Sequence, residues 1–279
     1  MGFFLVMKAE LVRGFIVMRR YWFRTVISMF LGYGMLMVLI YGFIFSQDTI
    51  TEQLGDRIAD ADRATNFVLG FIIGMFAFGV VGMYTQGLQG MARSGVLEQL
   101  CMSPHGLITN FLARTLVSAF TTILSSAVLV YMVVVTVGGT LHFDPVAVPL
   151  LLTMTFLNLL GFGLMVGGLV LVFKQVGELS IIVRMALFGL AIFAREEVVA
   201  DGGLMAWFMH VLPITDAAIC LKYVLIKGQL DADGVFQSVF LHPSFYWLIV
   251  NVALWNAIGV VTFKAMENHS RSKGTLGTY

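Results

Sequence analysis

Six stretches of this chain are long and apolar enough for a helix to cross a lipid bilayer. A hydrocarbon core about 30 Å thick needs about 20 helical residues. Lipid tolerates only structures that satisfy every backbone polar group internally, so the pattern predicts an all-α integral membrane protein with six transmembrane helices. The predicted spans are residues 25–45, 67–90, 116–137, 146–173, 176–194 and 246–263.

The composition supports a membrane protein with a single domain. The 279 residues are 59% hydrophobic and 12% charged, and the mean hydropathy is +0.91. A soluble domain carries about 25% charged residues, so a soluble class is excluded, and nothing indicates a nucleic-acid partner. We treat residues 1–279 as one transmembrane domain. Cys101 and Cys220 fall on opposite sides of the predicted membrane, so no disulfide is expected between them.

The distribution of Lys and Arg orients the chain, because cytoplasmic loops are enriched in these residues. The loop at residues 47–66 carries five acidic residues and two arginines, whereas five basic residues precede the first span. We therefore predict a protein of the cell membrane with both termini in the cytoplasm. The five N-terminal basic residues are Lys8, Arg13, Arg19, Arg20 and Arg24.

Residues 1–24 are predicted to form an amphipathic helix that lies in the membrane interface. Apolar residues recur at helical spacing, and charged residues gather on the opposite side. Two roles are open for this helix, a simple anchor or a docking and mechanical element. The apolar positions are Phe4, Met7, Leu11, Phe15, Met18 and Trp22, and the charged positions are Glu10, Arg13, Arg20 and Arg24.

A short polar run at residues 91–104 separates the second and third predicted spans. A small helix is predicted within this run, because Gly95 disfavours helix at its start and Pro104 ends it. A lipid-facing helix would not carry this polarity. We expect the helix at the membrane surface, where a soluble partner can push on it.

Residues 201–227 predict a re-entrant hairpin on the outer side, between the fifth and sixth spans. The apolar pieces 204–212 and 214–226 are each too short to cross, and Pro213 separates them. Backbone that is not helical is tolerated at membrane depth only where protein buries it or it lines a wet cavity. The alternative is a loop on the outer surface, with Trp207 and Tyr223 in the interfacial belt.

No catalytic or metal motif stands out in the chain. It contains neither G-x-x-x-x-G-K-[ST], nor H-E-x-x-H, nor G-x-S-x-G, which are the patterns for nucleotide phosphates, zinc and a nucleophile elbow. We assign no catalytic residue and no metal, because the five histidines are scattered singly. If ATP is used, another chain binds it.

Two segments carry a resemblance to a known family. Residues 94–104, SGVLEQLCMSP, are similar to the cytoplasmic coupling helix of ABC-2 type exporters, and residues 212–222, LPITDAAICLK, are similar to the motif in their outer hairpin. The N-terminal helix resembles the connecting helix of that family. The order of these features relative to the spans matches the membrane subunit of such an exporter over nearly the whole chain.

The resemblance implies outward transport driven by a separate ATPase, present in two copies, which binds ATP and Mg²⁺. It also implies a second permease subunit, identical or homologous, and contact with membrane lipid, but no cofactor in this chain. Coupling to the ATPase would fall to Arg93, Gly95, Val96, Leu97, Glu98, Gln99 and Leu100. Arg13, Arg19 and Arg20 would belong to the connecting helix, and Pro213, Asp216 and Lys222 to the outer hairpin.

The chain departs from the family pattern at three places. Arg93 and Ser94 stand where an acidic residue often precedes the coupling glycine, and Lys222 stands where an Arg is common. Arg195, Glu196 and Glu197 replace a small Ser-Gly step at the outer end of the fifth span.

Polar residues inside spans are candidates for a transport pathway: Asn158, Arg184 and Asn251, together with Asn256. We expect Arg184 to extend its side chain to the cytoplasmic headgroups and the asparagines to bond neighbouring helices. Two G-x-x-x-G pairs, Gly70 with Gly74 and Gly163 with Gly167, are expected to serve packing within the chain rather than dimerisation.

Glu196 and Glu197 are the other pathway candidates. Two carboxylates beside Arg195 would create a negative potential that favours a cationic or amphipathic substrate. Alternatively, they are interfacial charges, one of them bridged to Arg195. The sequence does not select among drugs, peptides, lipids, glycans and ions.

Two other classes of function stay open at this stage. One is a channel or secondary transporter without an ATPase, although no internal repeat is visible. The other is a membrane enzyme with an outer acid–base site. Its residues would be Glu196, Glu197, His210, Asp216 and His242.

Overall fold

The computed structural model describes residues 2–43, 56–93, 95–101, 106–137, 141–172, 177–196, 199, 203–230 and 236–273. Within these residues the chain is all-helical, with one isolated antiparallel bridge between Leu230 and Phe236. The helices are α1 (Gly2–Arg20), α2 (Trp22–Phe43), α3 (Asp56–Arg93), α4 (Val96–Cys101), α5 (Gly106–Val137), α6 (Ala147–Val172), α7 (Gly177–Phe193), α8 (Leu204–Val211), α9 (Thr215–Leu225) and α10 (Pro243–Ser272), with a 3₁₀ turn at Val239–Leu241.

Four of the described helices contain a stretch long and apolar enough to cross a membrane. These stretches are Thr65–Met91, Leu112–Val133, Ala147–Val172 and Pro243–Ser270. Helices α8 and α9 are bent by 88° and make a fifth crossing only if they count as one span. The predicted first and fifth spans correspond to shorter apolar helices, Trp22–Val38 and Ser180–Phe193. The fold is therefore a multi-pass membrane protein with four or five crossings by length, and the count of six is not confirmed.

Helices α6 and α10 form the tightest pair in the bundle. A Cβ atom added to Gly161 would lie 2.5 Å from the backbone of Trp255 and Asn256, and one added to Gly259 would collide with the backbone of Gly161. Small residues at such crossings let two helix backbones approach closely. Helix α6 thereby becomes the centre of the core, with α3 and α9 packed on its other sides.

Glycines also join α3 to its neighbours. A Cβ atom at Gly70 would lie 2.8 Å from Ile192 Cα of α7, and one at Gly74 would lie 2.8 Å from Phe188. Gly163 and Gly167 of α6 face Tyr84 of α3 in the same way. Both G-x-x-x-G pairs therefore serve packing within the chain, as predicted.

Helices α1, α2 and α5 form the periphery. Helix α1 packs mainly on α5, and Tyr33 of α2 shares a 2.9 Å hydrogen bond with Thr136 of α5. Apolar residues of α1 such as Phe4 and Phe15 are exposed, which is typical of a helix that lies in a membrane interface.

Candidate functional site

The predicted coupling segment forms a separate short helix. Helix α3 ends at Arg93, and Gly95 has a φ of +70°, a backbone conformation that glycine adopts without steric cost. Helix α4 follows, with Val96 and Gln99 exposed and Leu100 packed against the core. The side chains of Leu97, Glu98 and Arg93 lie outside the described part of the structure.

Helices α1 and α4, predicted to be the connecting and coupling helices, both line one cavity of about 400 Å³. Arg13 of α1 contacts Glu10 at 3.2 Å on one wall, and Val96 and Leu100 of α4 form another. Arg19 and Arg20 occupy the last turn of α1. The cavity is lined by Glu10, Arg13, Gln86, Gly87, Gly90, Met91, Val96, Leu100, Asn110 and Arg114. We call it the coupling cavity.

A second polar cavity, of about 390 Å³, lies between α3, α5 and α7. It shares Gln86, Gly87 and Arg114 with the coupling cavity. Its lining residues are Gly79, Gly82, Met83, Gln86, Gly87, Arg114, Thr115, Ser118 and Arg184. We call it the two-arginine cavity. The sequence did not predict that Arg114 and Arg184 share a site. They lie 70 residues apart, and Arg114 just precedes the predicted third span.

Arg184 does not extend to the headgroups as predicted. Its side chain is 5% exposed, its Nε donates to Phe78 O at 2.9 Å, and its guanidinium lies 3.7 Å from the centre of the Phe78 ring. The physical reason is Gly82, which leaves room for the guanidinium on the surface of α3. Packing on a neighbouring helix thus replaces the expected contact with lipid.

The predicted hairpin consists of α8, a tight turn and α9, and buried polar side chains bind its turn. Asn158 Nδ2 of α6 donates to Pro213 O at 2.6 Å. Trp255 Nε1 of α10 donates to Val211 O at 3.0 Å. The hairpin is therefore fixed to both helices of the central pair.

Asn251 and Asp216 form a second set of hairpin contacts. Asn251 Nδ2 donates to His210 O at 2.6 Å and contacts Asp216 Oδ2 at 3.3 Å. His210 Nδ1 lies 2.8 Å from Asp216 Oδ1, and its ring stacks on Trp247 with centroids 4.7 Å apart. Asn158, Asn251 and also Asn256, which donates to Leu157 O at 2.9 Å, thus bond neighbouring segments, as predicted.

Lys222 of the hairpin interacts with the end of α7. Its Nζ donates to Ala191 O and Ile192 O at 3.1 Å and to Ala194 O at 2.9 Å. The last carbonyls of a helix have no partner within that helix and carry partial negative charge. Lys222, only 8% exposed, satisfies them. No sequence pattern indicates this contact, because the partners are backbone atoms.

Glu196 forms an ion-pair cluster at the end of α7, but not with Arg195. Its carboxylate oxygens lie 2.6 Å from Lys227 Nζ and 3.1 Å from His242 Nε2. Partial burial raises the pKa of Glu196, but the hydrogen bonds and charges of Lys227 and His242 outweigh it, so the pKa is lowered from its usual value. Glu196 is therefore not the carboxylate that pairs with Arg195, because Lys227 comes closer through the fold. Glu197 lies outside the described residues.

Asp144 and Gln229 join the loop before α6 to the segment after α9. Asp144 Oδ1 accepts from the backbone N–H groups of Val146 and Ala147 at 2.8 and 3.0 Å, and these bonds lower the pKa of Asp144. Gln229 Nε2 donates to Asp144 Oδ2 at 2.7 Å. Sequence reasoning missed this contact, although an Asp before a helix is a typical N-cap.

Four of the five residues proposed for an outer acid–base site are described, and they form two pairs. His210 pairs with Asp216, whereas His242 pairs with Glu196. Over the described ranges, no group of three or more His, Cys, Asp or Glu side chains could hold a metal ion.

Comparison with known proteins gives one finding. The family model described as "ABC-2 type transporter" matches residues 6–226, which is most of the chain. No curated protein and no solved structure shows a significant match. The matched range includes α1, the coupling cavity and the hairpin.

Proposed function

Because this chain belongs to the ABC-2 type transporter family, and is therefore the membrane permease of an ABC-type transporter, we propose that it exports a substrate with energy from a separate ATPase. Two ATPase subunits would bind ATP and Mg²⁺ and serve a dimer of this permease or of two homologous permeases. The chain contains no nucleotide-binding motif of its own. The substrate class stays open in this proposal.

The observation that carries the proposal is the meeting of α1 and α4 at the coupling cavity. Residues from both helices line one space against α3 and α5, so a force on α4 would reach two long apolar helices at once. An ATPase shifts a permease between states only if it binds one state better than the other. A short helix with exposed Val96 and Gln99 offers a surface on which such differential contact can act.

In the proposed topology, α2 and α7 cross the cell membrane with the four longer helices, and both termini are cytoplasmic. The hairpin of α8 and α9 enters the membrane from the outer side and returns. Support comes from the 88° bend and from the burial of Thr215 to Val224 in α9, since protein must cover the backbone of a re-entrant turn.

Coupling can be tested with Leu97→Ala and Glu98→Ala, each purified with the ATPase. We expect normal insertion but weakened ATPase association and slower ATP-dependent transport. Lys264→Ala is the matched control, because Lys264 is exposed near the same predicted face, on α10. Full ATPase capture and transport by both α4 variants would contradict the docking assignment.

Topology can be tested by labelling single cysteines in a chain whose Cys101 and Cys220 have been replaced. An impermeant thiol reagent should label Asp56→Cys and Asp231→Cys in intact cells. It should label Ser94→Cys and Ser272→Cys only after permeabilisation. Labelling of Ser272→Cys in intact cells would overturn the six-span arrangement.

A further inference from the structure

The two-arginine cavity brings the buried Arg184 and the exposed Arg114 to one space without a matching negative charge. Arg114 and Arg184 both line it, and no Asp or Glu among the described residues does. Neither arginine forms an ion pair with a described residue. Charges within membrane-spanning helices are costly. The carbonyl and ring of Phe78 satisfy part of Arg184, and an anion in the cavity would neutralise the charge that remains.

Arg184 has donors to spare for such a partner. A guanidinium carries five N–H groups, and within the described chain the hydrogen bond of Arg184 is the one from Nε to Phe78 O. Its Nη2 lies beside Gly82, where an added Cβ would come within 2.5 Å of it. Gly82 also lines the cavity. A side chain that is 95% buried thus presents free N–H groups at the cavity wall.

The remaining lining groups fit an oxyanion. Ser118 supplies a hydroxyl and Gln86 a side-chain amide, both of which can donate to an acceptor oxygen. Glu10 lines only the adjacent coupling cavity, where it is already paired with Arg13 at 3.2 Å. Guanidinium groups bind phosphate through parallel N–H donors, which makes phosphate the anion that this geometry suits best.

We infer that the two-arginine cavity binds the phosphate headgroup of an anionic lipid. Its volume of about 390 Å³ falls within the usual size of ligand pockets. Gly87 and Arg114, which also line the cavity, lie near the ends of the apolar stretches Thr65–Met91 and Leu112–Val133, where a lipid headgroup would lie with its acyl chains in the bilayer. The lipid is either resident or a phosphorylated amphiphile on its way through the transporter. Binding itself does not depend on the proposed export.

The test measures lipid retention by the full-length chain. The protein is placed in nanodiscs of phosphatidylcholine, with or without phosphatidylglycerol, and native mass spectrometry quantifies the phosphatidylglycerol that stays bound after release. Arg184→Gln and Arg114→Gln should each lower retention on the order of tenfold, because each loses charge-assisted hydrogen bonds. Arg195→Gln, which removes an exposed charge just beyond α7, should retain the lipid.

Further variants protect the test against misfolding. Arg114 is exposed, so Arg114→Gln should keep the thermal unfolding temperature of the wild type. If Arg184→Gln does not fold, lipid retention by Arg114→Gln is the measurement that tests the proposal. Arg184→Lys keeps the charge but loses the planar fork, so it should retain an intermediate amount of lipid. Wild-type retention by a folded Arg114→Gln variant would overturn the proposal.

A second arm identifies the source of the phosphate. Proteoliposomes that contain the permease and its ATPase receive fluorescent phosphatidylglycerol, and a membrane-impermeant quencher reports which leaflet holds it. ATP-dependent movement that is lost in Arg114→Gln identifies a transported lipid, whereas retention without movement identifies a resident one. The retention measurement needs no ATPase. Lipid retention can therefore be interpreted even if the coupling proposal fails.

Discussion

The group of α6, α9 and α10 and the group of α1, α2 and α5 are built in different ways. In the most apolar part of α6, 78% of residues are buried, against 22% in α10, which packs on α6 with one face, and 6% in α5. Backbone contacts at Gly161 and Gly259 and side-chain bonds to the hairpin turn hold the first group together. The second group presents large apolar residues such as Phe30 and Phe120 outward.

This difference indicates which part of the permease can move. Closely packed interiors transmit strain as units, so the α6, α9 and α10 group should move as one body. Loosely packed helices with exposed apolar faces can exchange one set of lipid or protein contacts for another at small cost. The coupling cavity borders this group through α1 and α5 and the core through α3, so motion of α4 would act on both parts.

The largest effect on stability is expected from the substitution Gly259→Ala. Its new Cβ would collide with the backbone of Gly161, which cannot rotate away, so we expect a loss of about 3 kcal/mol or more of stability or a failure to fold. Gly34→Ala in α2 is the matched control, because an added Cβ there meets nothing within 4 Å. It should be neutral or stabilising by up to about 1 kcal/mol.

Thermal unfolding of both glycine variants in detergent measures the contrast. If Gly259→Ala unfolds at the wild-type temperature, the close α6–α10 packing is wrong. If Gly34→Ala is as damaging as Gly259→Ala, the two groups do not differ as described.

The next effect concerns Lys222→Met, which leaves three carbonyls at the end of α7 without their donor. We expect a loss of about 1.5–3 kcal/mol, the range for hydrogen bonds to a charged group. Lys222→Arg should lose less, because it keeps the charge. Lys264→Met, at an exposed position of α10, should stay within about 0.5 kcal/mol of wild type. Equal stability of Lys222→Met and Lys264→Met would rule out the capping role.

A smaller loss is expected for Asn158→Ala, which leaves Pro213 O without its donor. The cost of a buried unpaired carbonyl is about 1–3 kcal/mol. Hydrogen exchange should rise in α8 and α9, since the turn between them is released. Thr121→Ala in α5 is the comparison, because the Thr121 hydroxyl donates within its own helix to Ser118 O at 2.7 Å. Unchanged exchange in the hairpin of Asn158→Ala would contradict this assignment.

The smallest effect is the pH dependence of the Glu196 cluster. Because the folded-state pKa of Glu196 lies below its usual 4.5, its contribution is present above that value and is lost as the pH falls through the lowered pKa. The partly exposed pair contributes at most about 1 kcal/mol. Wild type and Glu196→Gln should therefore differ slightly at neutral pH and converge in acid. A stability difference that widens on acidification would show the opposite sign.

The local pattern of the chain was enough to predict several elements correctly. The apolar runs that became α3, α5, α6 and α10 follow from length against the bilayer, and the break at Pro213 follows from proline chemistry. The short helix after Gly95 was also predicted. These helices and breaks depend only on residues that are close in sequence, so periodicity and composition are enough to predict them.

The class of helical membrane protein and the order of its elements thus follow from the amino-acid sequence alone, whereas the partners of its polar side chains follow from the packing of the helices. Arg184 meets Phe78 across 106 residues, Asn158 meets Pro213 across 55, and Lys222 meets Ala194 across 28. The acceptors are backbone carbonyls, which every residue possesses. A polar side chain in an apolar helix therefore predicts that a hydrogen-bond partner is needed. Which carbonyl is that partner depends on how distant helices pack.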